Sequence, residues 1–310
     1  MMSTQKDLLA VFCLCLLLST NTSLGQDSSY RQQKLQKWAL GTVQVGFGMG
    51  SFYALNKAWY ANYPRTSFHF YNDWKEWQQM DKVGHSWSAF QLSRLSSNLW
   101  EAAGTPKKKA AWVGSLSSMG YMSIIEILDG YSDKWGFSPY DVLSNSIGAT
   151  AFLLQELHWK EERLLLKLSY FPVQYGTLSP RADDLFGKSG IEKLLKDYNG
   201  QTYWASLNIR SFFPESKAPE WLNLAIGYGA KTMLGGYENK WTENNGQLVS
   251  RPDILRYKRY YLSLDIDLNK IKTKNRTLKT ILSAVNVLKI PAPAVEVNSR
   301  GKVHFHPLFY

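Results

Sequence analysis

Thiols are almost missing from this chain of 310 residues. Its two cysteines, Cys13 and Cys15, both lie in an apolar run near the start. From Gln26 onward, then, no side chain can form a disulfide, hold a soft metal through sulfur or act as a thiol nucleophile, and stability must come from packing. Acidic residues are also few: 25 Asp and Glu stand against 36 Lys and Arg, a formal net charge of +11. Such a surface seeks phosphate, whether in lipid headgroups, lipopolysaccharide or nucleic acid. Internal repeats and low-complexity tracts are absent. With 45% hydrophobic and 14% aromatic residues, the chain is too apolar to remain disordered. The length allows one large domain or two ordinary ones.

The first 25 residues carry an address. Lys6 precedes the apolar run Leu8–Leu18, and the small-residue pattern Ser23-Leu24-Gly25 follows, which is the order of a cleaved secretory signal. A membrane anchor is the alternative, but the run has 11 residues against the roughly 20 that a span needs. Residues 1–25 are therefore expected to be a signal peptide. Gln26 stands where a lipoprotein signal would place its acylated cysteine, so direct lipid attachment is not expected. An exported chain seldom meets DNA. Membrane lipid or lipopolysaccharide is the expected partner for the basic surface, and nucleic acid is not.

The stretch Trp38–Asn56 (WALGTVQVGFGMGSFYALN) is uncharged over 19 residues, near the length of a span but diluted by Thr42, Gln44, Ser51 and glycines. Gly46, Gly48 and Gly50 lack the strand and spacing of a dinucleotide loop and fit close helix contact better. Ala110–Ile125 and Val142–Gln155 are likewise uncharged and rich in Ser, Gly and Ala, and a fourth helix is expected over Lys82–Ala103, where Phe90, Leu92, Leu95 and Leu99 make one apolar stripe. The connection Tyr60–Met80 crowds Tyr63, Phe68, Phe70, Tyr71, Trp74 and Trp77 beside charges. That composition suits a membrane-water interface or an aromatic lid over the helices.

After Glu161 the pattern alternates. In Tyr260–Leu268 the residues Tyr260, Leu262, Leu264, Ile266 and Leu268 share one face while Tyr261, Ser263, Asp265 and Asp267 share the other, which predicts a strand. Leu222–Gly229, Tyr203–Phe213 and Leu164–Tyr170 are further strands. Ala294–Asn298 and Lys302–His306 form a terminal hairpin about Ser299-Arg300-Gly301. Leu278–Lys289 reads as an amphipathic helix stopped by Pro291. Outer-membrane strands alternate in the same way, but four good strands and two short ones are fewer than the roughly eight of the smallest single-chain barrels. A half-buried antiparallel sheet, packed on helices or lying on a membrane, is the expected structure.

Three short segments set polar groups among the apolar helices: Asp81-Lys82-Val83-Gly84-His85, Glu126-Ile127-Leu128-Asp129-Gly130, and Ser138-Pro139-Tyr140-Asp141 continuing to Asn145. Asp81 with His85 and Asp141 with Asn145 are spaced i,i+4, and Glu126 with Asp129 i,i+3, so each pair projects from one helix face. Gathered in a poorly solvated site, these six could bind a divalent cation, relay protons or act as acid and base. Capping accounts for some of them without function: Asp81 as the N-cap of the Lys82 helix, and Asp141 within a capping-box variant led by Ser138. Glu126 follows sixteen uncharged residues and would be expensive to bury alone. His304 and His306 share a strand face, but two ligands are too few for a metal. The basic runs Lys107–Lys109, Arg256–Arg259 and Lys270–Arg276 read as solvated loops facing anionic lipid.

On MDKVGHSWSAF (Met80–Phe90), EILDGYSDKWGFSPYDVLSNSIGA (Glu126–Ala149) and KDYNGQTYWASLNI (Lys196–Ile209), the chain resembles the YfiM-like predicted periplasmic lipoproteins, in the longer form of Bacteroidetes-type envelopes. The YYLSLDIDLNKIKTK and KIPAPAVEVN segments also look like that form. An Asp-Lys-x-x-His start followed by an acidic helix and Asp-x-x-x-Asn is more distantly similar to VanZ-like membrane proteins. The resemblance implies an envelope location, a helical core and no assigned activity.

The sequence therefore leads to an exported α+β protein of the Gram-negative periplasm or outer membrane. Residues 26–160 are expected to form a membrane-associated four-helix bundle and residues 161–310 an antiparallel β-rich region. The leading function is structural or lipid-interacting. The rivals are an enzyme acting on a lipid or cell-wall precursor through His85, Asp81, Glu126, Asp129, Asp141 and Asn145, and an accessory subunit of an outer-membrane complex. No motif names a reaction.

Overall fold

The uncharged, small-residue segments become helices and the alternating segments become strands. A computed structural model of the chain describes residues 30–55, 64–243 and 245–309; the expected signal peptide, Gln26 and the start of the aromatic connection fall outside the described residues. Four long helices come first: α1 (Tyr30–Leu55), α2 (Met80–Ala102), α3 (Lys107–Gly130) and α4 (Pro139–His158). Four short ones follow: α5 (Ser179–Phe186), α6 (Gly190–Lys196), α7 (Ile209–Phe212) and α8 (Arg276–Val285). The strands are β1 (Leu164–Tyr170), β2 (Gln201–Asn208), β3 (Leu222–Lys231), β4 (Lys240–Thr242), β5 (Leu248–Ser250), β6 (Tyr257–Ile266), β7 (Ala292–Asn298) and β8 (Val303–Phe309). The chain divides into two compact units. One holds residues up to Asn72 with Ser88–Glu162 and Asn275–Ala284; the other holds Asp73–Trp87, Arg163–Lys274 and Val285–Tyr310.

In the helical unit, small and hydroxyl residues set the contacts. A Cβ added to Gly114 of α3 would lie 2.5 Å from the Ser93 carbonyl oxygen and 2.7 Å from the Ser97 nitrogen of α2, so glycine lets the two backbones touch. One turn on, Ser118 Oγ donates to the Ala89 carbonyl at 2.8 Å. Phe90 meets Phe152 of α4 edge-on at 5.9 Å. Helix α1 joins through Gln44, which donates to Ser96 Oγ at 2.7 Å and accepts from Trp100 Nε1 at 3.0 Å, and through Phe52, stacked on Tyr121 at 4.6 Å. Arg94 and Glu162 form an ion pair at 2.9 Å with both side chains largely buried. Of the aromatic connection, Phe68 packs against Tyr131 and Phe137 as a lid residue does, whereas Phe70 is mostly exposed.

The interior of this unit is polar for helices of such composition. Ser93, Ser96, Ser97, Ser115, Ser118 and Ser144 are all buried, while Leu116 is 63% and Ile147 56% exposed. No described helix is long and apolar enough to cross a membrane.

The second unit is built on a six-stranded antiparallel sheet of order β1-β2-β3-β6-β7-β8, with β4 and β5 forming a separate two-stranded ribbon. The expected terminal hairpin is present, its turn closing at Gly301 with φ 77°. The strand expected over Tyr203–Phe213 ends at Asn208, whose side chain accepts from the Ser211 nitrogen and caps α7. The polar stretch Asn239–Pro252 contains the β4/β5 ribbon.

The sheet is strongly curled. Lys167 of β1 reaches Asp265 of β6 at 2.9 Å, although three strand spacings, about 14 Å in a flat sheet, separate those strands. The free edge of β1 is met by the chain leading into β7, where Leu168 N donates to the Val287 carbonyl at 3.0 Å and Lys289 N to the Leu168 carbonyl at 2.9 Å.

Candidate functional site

Alternation fixes two faces on a strand, and on β3, β6 and β7 the structure puts the polar one inside. On β6, Arg259, Tyr261, Ser263 and Asp265 are buried while Tyr260, Leu262 and Leu264 are exposed. Leu262 is 50% exposed between Tyr261 at 2% and Ser263 at 4%. Strand β3 repeats the pattern with Asn223, Ala225 and Gly227 inside and Leu224 and Ile226 outside, and β7 repeats it with Ala294, Glu296 and Asn298 inside and Val295 and Val297 outside. Lys167 and Asp265, both wholly buried, anchor the interior. Asp265 also accepts from Ser206 Oγ at 2.7 Å and Ile290 N at 3.1 Å, and Ser206 in turn accepts from Asn223. Trp204, Tyr261 and Phe309 form an aromatic layer, with the Lys289 ammonium 4.7 Å from the Trp204 ring centre. Burial, opposed by the charge of Asp265, pulls the Lys289 pKa down to about 8. Beyond that layer, Glu296 accepts from His306 at 3.0 Å and faces Arg259 at 3.8 Å.

The six residues singled out from the sequence are divided between the units: Asp81 and His85 fall in the sheet unit, and Glu126, Asp129, Asp141 and Asn145 in the helical unit. Asp81 is not the N-cap of its helix. The helix begins at Met80, and the carboxylate serves side chains instead. Its Oδ1 accepts from Tyr198 OH at 2.7 Å, its Oδ2 lies 2.9 Å from Lys82 Nζ, and His85 Nε2 is 3.7 Å from Oδ1. Lys82 Nζ also pairs with Asp73 at 2.6 Å. Burial alone would raise the Asp81 carboxyl's pKa, but the charges of His85 and Lys82 and the hydrogen bonds from Tyr198 and Lys82 prevail and lower it to about 2.

Helix α2 approaches the sheet here because residue 84 is glycine: a Cβ there would lie 2.8 Å from the Tyr203 hydroxyl. Just upstream, Trp77, Gln78 and Gln79 have φ of 48°, 53° and 61°. This left-handed turn is unusual for residues with a side chain. It is held by Trp77 N donating to the Gly236 carbonyl at 2.8 Å, by Tyr228 OH on the Gln78 carbonyl and by Lys258 on the Gln79 side chain.

In the helical unit, Ser138 caps α4 as expected, its Oγ accepting from Asp141 N at 3.1 Å with Pro139 first in the helix. Capping employs the backbone of Asp141 and leaves its buried carboxylate for other contacts. Glu126 and Asn145 are each 1% exposed. Asp129 is partly buried one turn beyond Glu126.

Residues 69–156 match the family model described as Predicted periplasmic lipoprotein (DUF2279). The match takes in the Met80–Phe90 and Glu126–Ala149 motifs and all six polar residues, and it ends before β1. An exported protein of the cell envelope fits that description. Comparison with curated proteins and with solved structures gives no match. The matched segment therefore holds α2, α3, nearly all of α4 and the start of the Asp81 network, while Tyr198, which completes this network from the chain between α6 and β2, lies beyond it. Sequence reasoning did not name Tyr198, Asp73, Lys167 or Glu296. Tyr198 was within reach, because it sits in the KDYNGQTYWASLNI motif. Lys167 gave no signal, since a single lysine in LLLKLSY reads as a residue turned to solvent.

Proposed function

We propose that this is a membrane-bound envelope protein, structural or lipid-interacting, whose apolar faces lie against lipid. One observation carries the reading: polarity is inverted in both units. In the helical unit Ser93, Ser115, Ser118, Glu126 and Asp141 are buried while Trp38, Met49, Leu116, Leu143 and Ile147 are exposed; in the sheet unit Lys167, Asp265 and Glu296 are buried while Ile226, Leu262 and Phe305 are exposed. In water, burying a side chain of this size gains about 1.5–3 kcal/mol, and a buried ion pair is often no better than apolar residues in its place. Both choices become favourable when the surroundings are hydrocarbon, because polar groups then have nowhere else to go. A curled antiparallel sheet with apolar residues outside and polar ones inside is the arrangement of outer-membrane strands, which favours the outer membrane over a soluble periplasmic location.

Flotation with phospholipid vesicles tests this. Full-length protein should float with vesicles of phosphatidylcholine, and Ile226→Asp/Leu262→Asp should lose most of that binding while melting close to wild type, since these side chains already face outward. Protein that stays at the bottom of the gradient in both forms would refute the reading.

The Asp81–His85 pair favours a second reading: a cation-binding or acid–base centre acting on a lipid-borne substrate. A carboxylate kept ionised by Lys82 and Tyr198 beside an imidazole is suited to either task. Elemental analysis of purified protein should find a divalent cation that His85→Ala and Asp81→Asn each lose; a metal content equal in all three proteins would remove the cation from the picture.

A further inference from the structure

Between Leu268 and Ala294 the chain has no acidic residue, yet it carries Lys270, Lys272, Lys274, Arg276, Lys279 and Lys289. Helix α8 lies in this stretch, and its outward stripe is apolar: Leu278, Ile281 and Val285, spaced i, i+3 and i+7, are 43%, 51% and 41% exposed. Ile271 and Leu288 on either side are also exposed. Lys274 and Lys279 are exposed as well. Lys272 has 84% of its side chain in the open despite a 3.0 Å contact with Glu220, and a surface pair of that kind is held only weakly. An apolar stripe with lysines beside it along the chain is the composition of a helix that lies in a membrane interface, the stripe entering the acyl boundary and the ammonium groups meeting phosphates.

We propose that the segment Lys270–Leu288 docks on an anionic phospholipid leaflet and selects it over a neutral one. The inference rests on the lipid reading above and adds the headgroup chemistry. Charge decides the occupant: the five cations from Lys270 to Lys279, with no anion among them, are poorly suited to an apolar or basic partner and well suited to a phosphate surface.

The test uses full-length protein diluted from detergent into vesicles of phosphatidylcholine alone or mixed with phosphatidylglycerol, with binding read by flotation. Wild type should bind the mixed vesicles more tightly, and added salt should reduce the difference. Lys270→Gln/Lys274→Gln/Lys279→Gln should lower binding to the mixed vesicles by about fivefold per lysine and leave binding to neutral vesicles unchanged. Leu278→Asp/Ile281→Asp should lose the preference as well. Equal binding to both vesicles, or a preference that survives the lysine substitutions, would overturn the inference while leaving the lipid reading intact. Failure to bind either vesicle would overturn both. Dimers that Leu278→Asp/Ile281→Asp dissolves without altering flotation would show a second copy on the stripe and would also overturn it.

Discussion

Asp81 illustrates how a single carboxyl can change its role once its partners arrive. Capping would make it a local device, replaceable by Ser or Asn. In the structure its oxygens belong instead to Tyr198, Lys82 and His85, and its pKa falls from the ordinary 3.8 to about 2. A group whose pKa is lower when folded contributes stability that is complete above its unfolded pKa and disappears as the pH falls through the folded one. Unfolding followed in detergent should therefore show wild type losing stability between about pH 4 and pH 2, with Asp81→Asn flatter over that window. Equal slopes would mean the carboxylate is not held by its neighbours. At this scale the sequence was informative where a residue broke its local pattern, as Glu126 does after sixteen uncharged residues. It was silent where partners are distant, since nothing local links Asp81 to Tyr198.

Elements were legible because periodicity is local. The four long helices, the strand over Tyr260–Leu268 and the last hairpin follow from spacing alone, and Ser138-Pro139 marks the start of α4. Which face of a strand turns inward is a property of the surroundings, and alternation does not specify it. Lys167 and Asp265 decide that question for the sheet. Replacing Lys167 with Met leaves Asp265 buried without its cation and should cost about 3–5 kcal/mol in the unfolding free energy. Adding Asp265→Leu should restore a good part of the loss, because the remaining apolar pair needs no charge balance. A single substitution with no effect on unfolding would show the interior to be wetter than the 2.9 Å contact implies.

At the scale of the whole molecule, the inverted polarity also explains why hydropathy gave a borderline span at Trp38–Asn56 and none elsewhere. Buried Ser93, Ser115, Ser118, Glu126 and Asp141 interrupt the apolar residues of α2, α3 and α4, which keeps these helices below the level of a span. The flotation result should accordingly depend on both units: Leu116→Asp/Ile147→Asp in the helical unit should weaken vesicle binding as the sheet variants do.

The chain passes between the two units five times, and each unit's last piece lies beyond Lys274, Asn275–Ala284 for the helices and Val285–Tyr310 for the sheet. Neither unit can be expressed as one uninterrupted fragment. A truncation at Glu162 would omit α8 from the helices and leave Asp73–Trp87 without its sheet, so that one cut damages both halves. Ribosomal synthesis faces the same constraint: the helical half lacks a part until Ala284 has been made, and by then most of the sheet half has already been synthesised.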